Sequence, residues 1–124
     1  KSNISNTILV KKIIKKYNIN SVIHFAAYKD IEESTFKPKK YYKNNYLITK
    51  KFINCCKENG VSNFIFSSTA AVYGNLHKNK KVLENSPLKP ISLYGLYPKL
   101  LLNFDLISVE YRSKSKPSFL SKFK

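Results

Sequence analysis

Apolar residues recur along this chain at two spacings. Between Ser5 and Tyr17, Ile8, Leu9, Ile13 and Ile14 share one side of a helical period and lysines occupy the rest, with Ser5 or Asn6 placed to cap the run. That pattern predicts a helix. Ser21–Phe25 (Ser-Val-Ile-His-Phe) is short and rich in β-branched and aromatic residues, so it predicts a strand, and the small pair Ala26-Ala27 ends it. Asp30–Phe36 reads as a connector with room for one helical turn. Pro38 suits the first turn of a long helix running to about Glu58, with Leu47, Ile48, Phe52, Ile53 and Cys56 as its apolar stripe and Asn59-Gly60 as its stop. Ser62–Ser67 is a second strand, built around Phe64-Ile65-Phe66. Asn75–Leu93 is mostly loop, broken by Pro87 and Pro90. A last helical pattern begins near Tyr94 and fades near Tyr111. The basic stretch Ser113–Lys124 is expected to be disordered.

Helices alternating with short buried strands imply βαβ crossovers and a parallel sheet, so the predicted fold class is α/β. In such sheets ligands sit outside the C-terminal ends of the strands. Ala26-Ala27 and Ser67-Ser68-Thr69 both fall at such ends, and Tyr94-Gly95 opens the following helix. A tyrosine transfers protons when its phenolate is stabilised, and a neighbouring Ser or Thr hydroxyl with a lysine ammonium supplies that stabilisation. On residue type alone the plainer readings lead: Thr69 as a strand terminator, Tyr94 as one of nine packing tyrosines.

Composition narrows the classes. At 124 residues one domain is expected, and 43% hydrophobic content excludes a disordered chain. No apolar run reaches the ~18 residues of a membrane span. The first residues lack the apolar stretch of a signal peptide, and the chain contains no methionine, so a piece of a longer protein is expected. The net charge of +16 would suit a nucleic-acid-binding module. The basic residues are almost all lysines, scattered rather than striped, beside abundant Asn, Ile, Tyr and Phe; that is the mark of compositional bias, and nucleic acid is not an expected partner. Cys55 and Cys56 are helix neighbours about 100° apart, unable to bridge easily and without metal-ligand spacing. Two free thiols in a reducing cytoplasm are expected.

A family resemblance rests on His24-Phe25-Ala26-Ala27-Tyr28-Lys29, Glu33-Ser34, Pro38, Tyr41-Tyr42, Asn44-Asn45, Phe64 through Gly74, Ser92 and Tyr94-Gly95. In this order and spacing they closely resemble the UDP-glucose 4-epimerases of the extended short-chain dehydrogenase/reductase superfamily. Sugar-nucleotide dehydratases and decarboxylases share much of the plan. The resemblance implies a partial Rossmann-like, doubly wound parallel sheet over residues 1–112, NAD as cofactor, a UDP-sugar as substrate, a homodimeric parent and a cytoplasmic setting. It implies that Tyr94 moves the proton of the sugar hydroxyl, that Thr69 hydrogen-bonds that hydroxyl, and that a lysine assists. Phe25, Ala26, Ala27 and Lys29 match the stretch lining pyrophosphate and ribose. Asn44 and Ser67 match cofactor-contacting positions, and Asn3-Ile4 matches an Asp-Ile pair beside the adenine.

The chain departs from the pattern twice. The family's lysine stands four residues after the tyrosine; Pro98 occupies that position here, and Lys99 follows one residue late. In a regular helix Lys99 points about 140° away from Tyr94, and a one-residue bulge would be needed to return it. The first strand and its Gly-rich turn are also missing, since Gly60, Gly74 and Gly95 are the only glycines. The chain by itself is therefore expected to be inactive and to bind NAD weakly or not at all.

Overall fold

The computed structural model describes residues 3–75, 82–83, 85–102 and the backbone of 107–110. The stretch read as a basic tail, 113–124, lies outside the described residues, as does part of the loop between Asn75 and Leu93.

Helix α1 (Thr7–Tyr17) is capped by Asn6, whose side-chain oxygen accepts the Leu9 N–H at 3.1 Å, and it ends at Asn18 in the left-handed conformation. Strand β1 (Ser21–His24) follows, then α2 (Ile31–Phe36), where the helical turn allowed for in the connector extends over six residues. Asp30 starts it by accepting the Glu33 N–H at 2.8 Å. The long helix predicted from Pro38 to Glu58 is present but not uniform. It opens as α3 (Pro38–Tyr41), passes through a π-helical segment (Tyr42–Ile48) and closes as α4 (Thr49–Glu58). Strand β2 (Asn63–Ser67) leads into a 3₁₀ turn (Ala70–Tyr73), and α5 (Leu93–Leu101) follows the loop.

The expectation of a helix fading near Tyr111 is corrected. Helix α5 stops at Leu101, and Ile107–Glu110 forms a third strand, β3. The β-branched Ile107 and Val109 alternate with Ser108 and Glu110, a period-two pattern that pairs with a strand edge more readily than it extends a helix. The sheet is parallel throughout, in the order β1-β2-β3, with Ser21 opposite Asn63 and Phe64 opposite Ile107. Strand order advances in one direction only, as in one half of a doubly wound sheet.

Ile14 of α1, Ile53 and Cys56 of α4, Val61, Phe64 and Phe66 of the β2 region, and Leu101 of α5 make the core. Each such aliphatic or phenyl side chain contributes about 1.5–3 kcal/mol by leaving water. The other side of β1 is bare: Ile23 is 58% exposed and Phe25 just beyond the strand is 72% exposed. Among the described residues no helix is long and apolar enough to cross a membrane. Cys55 and Cys56 are free and buried.

Candidate functional site

Strands β1 and β2 end level, at His24 and Ser67, so the segments that follow leave the sheet at one rim. After β1 the chain runs through Ala26, Ala27 and Tyr28. These three, with Asn44 from the π-helical segment and Asn3 and Ile4 from before α1, line a cleft of about 360 Å³. Five of the residues the sequence singles out for cofactor contact thus arrive from three separate segments at one place.

The cleft walls are held by hydrogen bonds. Asn3 Oδ1 accepts the Ser5 N–H at 2.9 Å, and its amide nitrogen remains a donor. Asn44 donates from its amide nitrogen to Asn45 Oδ1 at 2.9 Å and keeps its own side-chain oxygen as an acceptor. Asn45 accepts the Tyr28 backbone N–H at 3.0 Å and donates to the Tyr28 carbonyl at 2.8 Å. Beneath them lies His24, 5% exposed, stacked on Phe66 at 6.0 Å and 3.4 Å from the Thr49 hydroxyl. Burial pushes the His24 pKa below its ordinary 6.5, so the ring is neutral at physiological pH.

A second cluster forms beyond β2. Thr69 begins the 3₁₀ turn, and its hydroxyl oxygen accepts the Ala71 N–H at 3.3 Å, which leaves the hydroxyl proton available. The neighbouring Ser68 hydroxyl is buried with no partner, an unmade hydrogen bond worth about 1–3 kcal/mol. Tyr94 sits half-buried in the first turn of α5, where Ser92 caps the helix by accepting the Gly95 N–H at 3.2 Å. Gly95 lets this helix lie directly on the turn, since a Cβ there would strike the Ala71 carbonyl. Thr69 and Tyr94 therefore stand on two elements packed against each other.

The remaining sequence candidates are placed less favourably. Phe25 and Lys29 are exposed beside the cleft but do not line it, and Ser67 is half-buried at the end of β2. Lys99 is not returned toward Tyr94: α5 is α-helical from Leu93 to Leu101 with Pro98 inside it, so no bulge shifts the register. Lys99 stands about 140° round the helix from Tyr94. Two residues that sequence reasoning left without a role, Tyr28 and Asn45, prove structural parts of the cleft. The available signal for Asn45 was a polar, helix-averse residue inside a predicted helix. Among the described residues no cluster of His, Cys, Asp or Glu could hold a metal ion.

The cleft chemistry suits the nucleoside part of a dinucleotide. Alanines at 26 and 27 leave the backbone beside them uncovered, and the two asparagine side chains offer a donor and an acceptor of the kind that base edges and ribose hydroxyls require.

Residues 1–104 match the model of the NAD dependent epimerase/dehydratase family. The UDP-glucose 4-epimerase of Lactobacillus helveticus is 41% identical over 92 residues, 74% of this chain and 28% of that protein. Among solved structures, the UDP-Glc/GlcNAc 4-epimerase of Campylobacter jejuni superposes with a TM-score of 0.76 at 35% identity, covering 89% of this chain and 36% of its own. The UDP-glucose 4-epimerase of Brucella ovis in complex with NAD superposes with a TM-score of 0.80 at 28% identity, covering 90% of this chain and 37% of its own. The chain thus spans about a third of the length of these relatives.

Proposed function

The chain belongs to the NAD dependent epimerase/dehydratase family, and on that premise we propose that it forms the nucleotide-binding half-sheet and proton-transfer corner of an NAD-dependent UDP-glucose (UDP-galactose) 4-epimerase. The observation that carries the reading is the convergence of Asn3, Ile4, Ala26, Ala27 and Asn44 on one cleft at the C-terminal rim of a parallel sheet.

The residues divide the work. The Asn3-Ile4 side of the cleft receives the adenine, and Ala26, Ala27 and Asn44 receive ribose and phosphate, with Phe25, Lys29 and Ser67 completing the rim. NAD, when bound, supplies a hydride acceptor for the sugar C4. Tyr94 takes the proton of the C4 hydroxyl and gives it back, and the hydroxyl of Thr69 donates to the sugar oxygen that changes charge. The Ala71 N–H on the Thr69 oxygen leaves that donor role open. Lys99, the catalytic lysine the sequence suggested, lies on another side of α5 from Tyr94 and would reach the reacting groups only from beyond that turn.

Three finer features belong to the same proposal. The enzyme serves galactose metabolism in the cytoplasm, a setting that two free buried thiols fit. It pairs as a homodimer through the helices spanning Lys39–Glu58 and the Tyr94 helix, and the exposed apolar side chains of Tyr42, Leu47 and Leu100 on these helices suit that role. The substrate is a UDP-hexose.

The test is an amide-resolved NMR titration of the chain with NAD at millimolar concentration, where weak binding is still read. Shifts concentrated at Asn3–Ile4, Ala26–Tyr28 and Asn44 are expected. Shifts spread over the lysine-rich surface overturn the reading.

A further inference from the structure

Asn45 is 5% exposed and lies in the middle of a helical run, a position where asparagine is a poor choice on propensity alone. A carboxamide buried without partners would cost about 2–7 kcal/mol. Here both ends are used. The oxygen accepts the backbone N–H of Tyr28 at 3.0 Å and the side-chain N–H of Asn44 at 2.9 Å, while the nitrogen donates to the Tyr28 carbonyl at 2.8 Å. One side chain therefore satisfies both backbone groups of a residue 17 positions away, as a neighbouring strand would. Tyr28 and Asn44 are both walls of the cleft.

The backbone around Asn45 is π-helical over seven residues, a winding that seldom persists without outside support and is frequent at functional sites. The support is visible on both sides of Asn44: the Asn45 carboxamide holds its side chain, and the Thr49 hydroxyl reaches its carbonyl at 3.5 Å. Tightening the segment to α-helical winding would rotate Asn44 relative to Tyr28, and the Asn45 clamp opposes that rotation.

We propose that Asn45 is a positioning residue: its carboxamide fixes the separation of the Tyr28 and Asn44 walls and, by holding the Asn44 amide nitrogen, reserves the Asn44 side-chain oxygen for the ligand. The chemistry restricts the position. Aspartate keeps the acceptor but cannot donate to the Tyr28 carbonyl, and leucine, of similar volume, leaves Tyr28 and Asn44 unheld.

The inference rests on the cleft being the NAD site, so the test carries one readout without ligand. In the wild-type chain, a coupling across the hydrogen bond between the Asn45 side-chain nitrogen and the Tyr28 carbonyl, with slow exchange of the Tyr28 amide, is expected; rapid exchange with no coupling overturns the proposal even if every variant fails to fold. Asn45→Asp and Asn45→Leu are then compared for Tyr28 amide exchange and for the NAD dissociation constant. We expect faster Tyr28 exchange in both, and affinity weakened about tenfold by Asn45→Asp and further by Asn45→Leu, the scale of one or two lost buried hydrogen bonds. In an Asn44→Ala background the Asn45→Leu effect on affinity should shrink toward that of Asn45→Asp, because only leucine also releases the Asn44 side chain. An undiminished effect there assigns Asn45 a merely structural role and overturns the proposal. If NAD shifts resonances away from the cleft, the nucleotide reading fails, and the Tyr28 coupling and exchange still decide whether the clamp exists.

Discussion

Replacing Gly95 by alanine sets two effects of opposite sign against each other. In an isolated helix the change gains about 1 kcal/mol of helix propensity. In this fold a Cβ at position 95 falls 2.8 Å from the Ala71 carbonyl carbon, nearer still to its oxygen, and 3.1 Å from the Pro90 Cβ. Neither carbonyl atom belongs to a side chain that can swing aside, so α5 must retreat from the 3₁₀ turn. Retreat loosens Leu101, which is fully buried, and lengthens the bond from the Tyr97 hydroxyl to the Pro38 carbonyl, now 3.3 Å. Overpacking of this kind costs about 1–3 kcal/mol, and the loosened burial and hydrogen bond add about 1–2 kcal/mol. The net expectation is a loss of about 2 kcal/mol, and a fall in Tm of about 10 °C for a domain of this size. Gly60→Ala is the control, because no atom lies within 4 Å of a Cβ there and only its positive φ of 87° opposes the change. Urea denaturation of the two variants reads the difference. A Gly95→Ala chain as stable as wild type, or more stable, would show that α5 does not rest on the turn that Thr69 begins. The placement of Tyr94 beside Thr69 would fall with it.

Four further outcomes follow from the side-chain environments. Because burial lowers the folded-state pKa of His24 below 6.5, its contribution to stability is complete above pH 6.5 and declines as pH falls from there toward the folded value; the urea midpoint should drop over that window, and His24→Phe should flatten the drop. Glu33, hydrogen-bonded first by Lys40 and then by Lys37 and Tyr41, titrates at about 2 rather than 4.5, so it supports the fold above pH 4.5 and the support fades between 4.5 and 2; Glu33→Gln should remove that acid-dependent component from the unfolding curve. Burial pushes the Cys56 thiol up to about 12 and raises that of Cys55, so a thiol reagent at neutral pH should label neither in the native chain and both in urea; rapid native labelling would contradict the packing of α4. Tyr97→Phe should cost about 1 kcal/mol by removing the bond to the Pro38 carbonyl while keeping the ring contact with Tyr42 at 5.8 Å, and a thermal shift of a few degrees checks it.

The local elements were the legible part of this sequence. Asn6 as a cap, the helical spacing of α1, and the β-branched and aromatic runs of β1 and β2 each carry their signal within a few residues, although the buried face of α1 is Val10 and Ile14 while the expected Ile8 and Ile13 are exposed. The π-helical winding of Tyr42–Ile48 does not, and side-chain bonds made from within it run to Tyr28, 17 positions away in sequence. Strand β3 was hidden by the apolar run Leu100-Leu101-Leu102, which continues a helical reading past the point where the chain turns. The short 3₁₀ turn after Thr69 depends on a hydroxyl-to-backbone bond and a close approach to Gly95, neither of which has a periodic signature. The cleft residues were readable as a set only through their spacing; singly, an alanine pair or an asparagine in a lysine- and asparagine-rich chain carries little information.

The two halves of the candidate site are fastened differently, and this decides what each can tolerate. The cleft side is tied by one buried carboxamide to the backbone of Tyr28 and the side chain of Asn44, so its geometry hangs on hydrogen bonds with fixed directions. The Thr69–Tyr94 side is tied by close approach at Gly95 and by the docking of Tyr97 onto α3, so its geometry hangs on the absence of a side chain and the burial of a ring. Tyr97 joins the two, since its hydroxyl bonds to Pro38 at the start of α3 and its ring meets Tyr42 at the start of the π-helical segment that carries Asn44. Pro98 follows directly, buried in α5 and lacking an N–H for the Tyr94 carbonyl. The helix tolerates that missing bond because Tyr97 and Leu101 bury one face of it and Gly95 lies close-packed on another. The same fixation keeps the register regular, and a regular register is what leaves Lys99 on the wrong side of the helix to meet Tyr94.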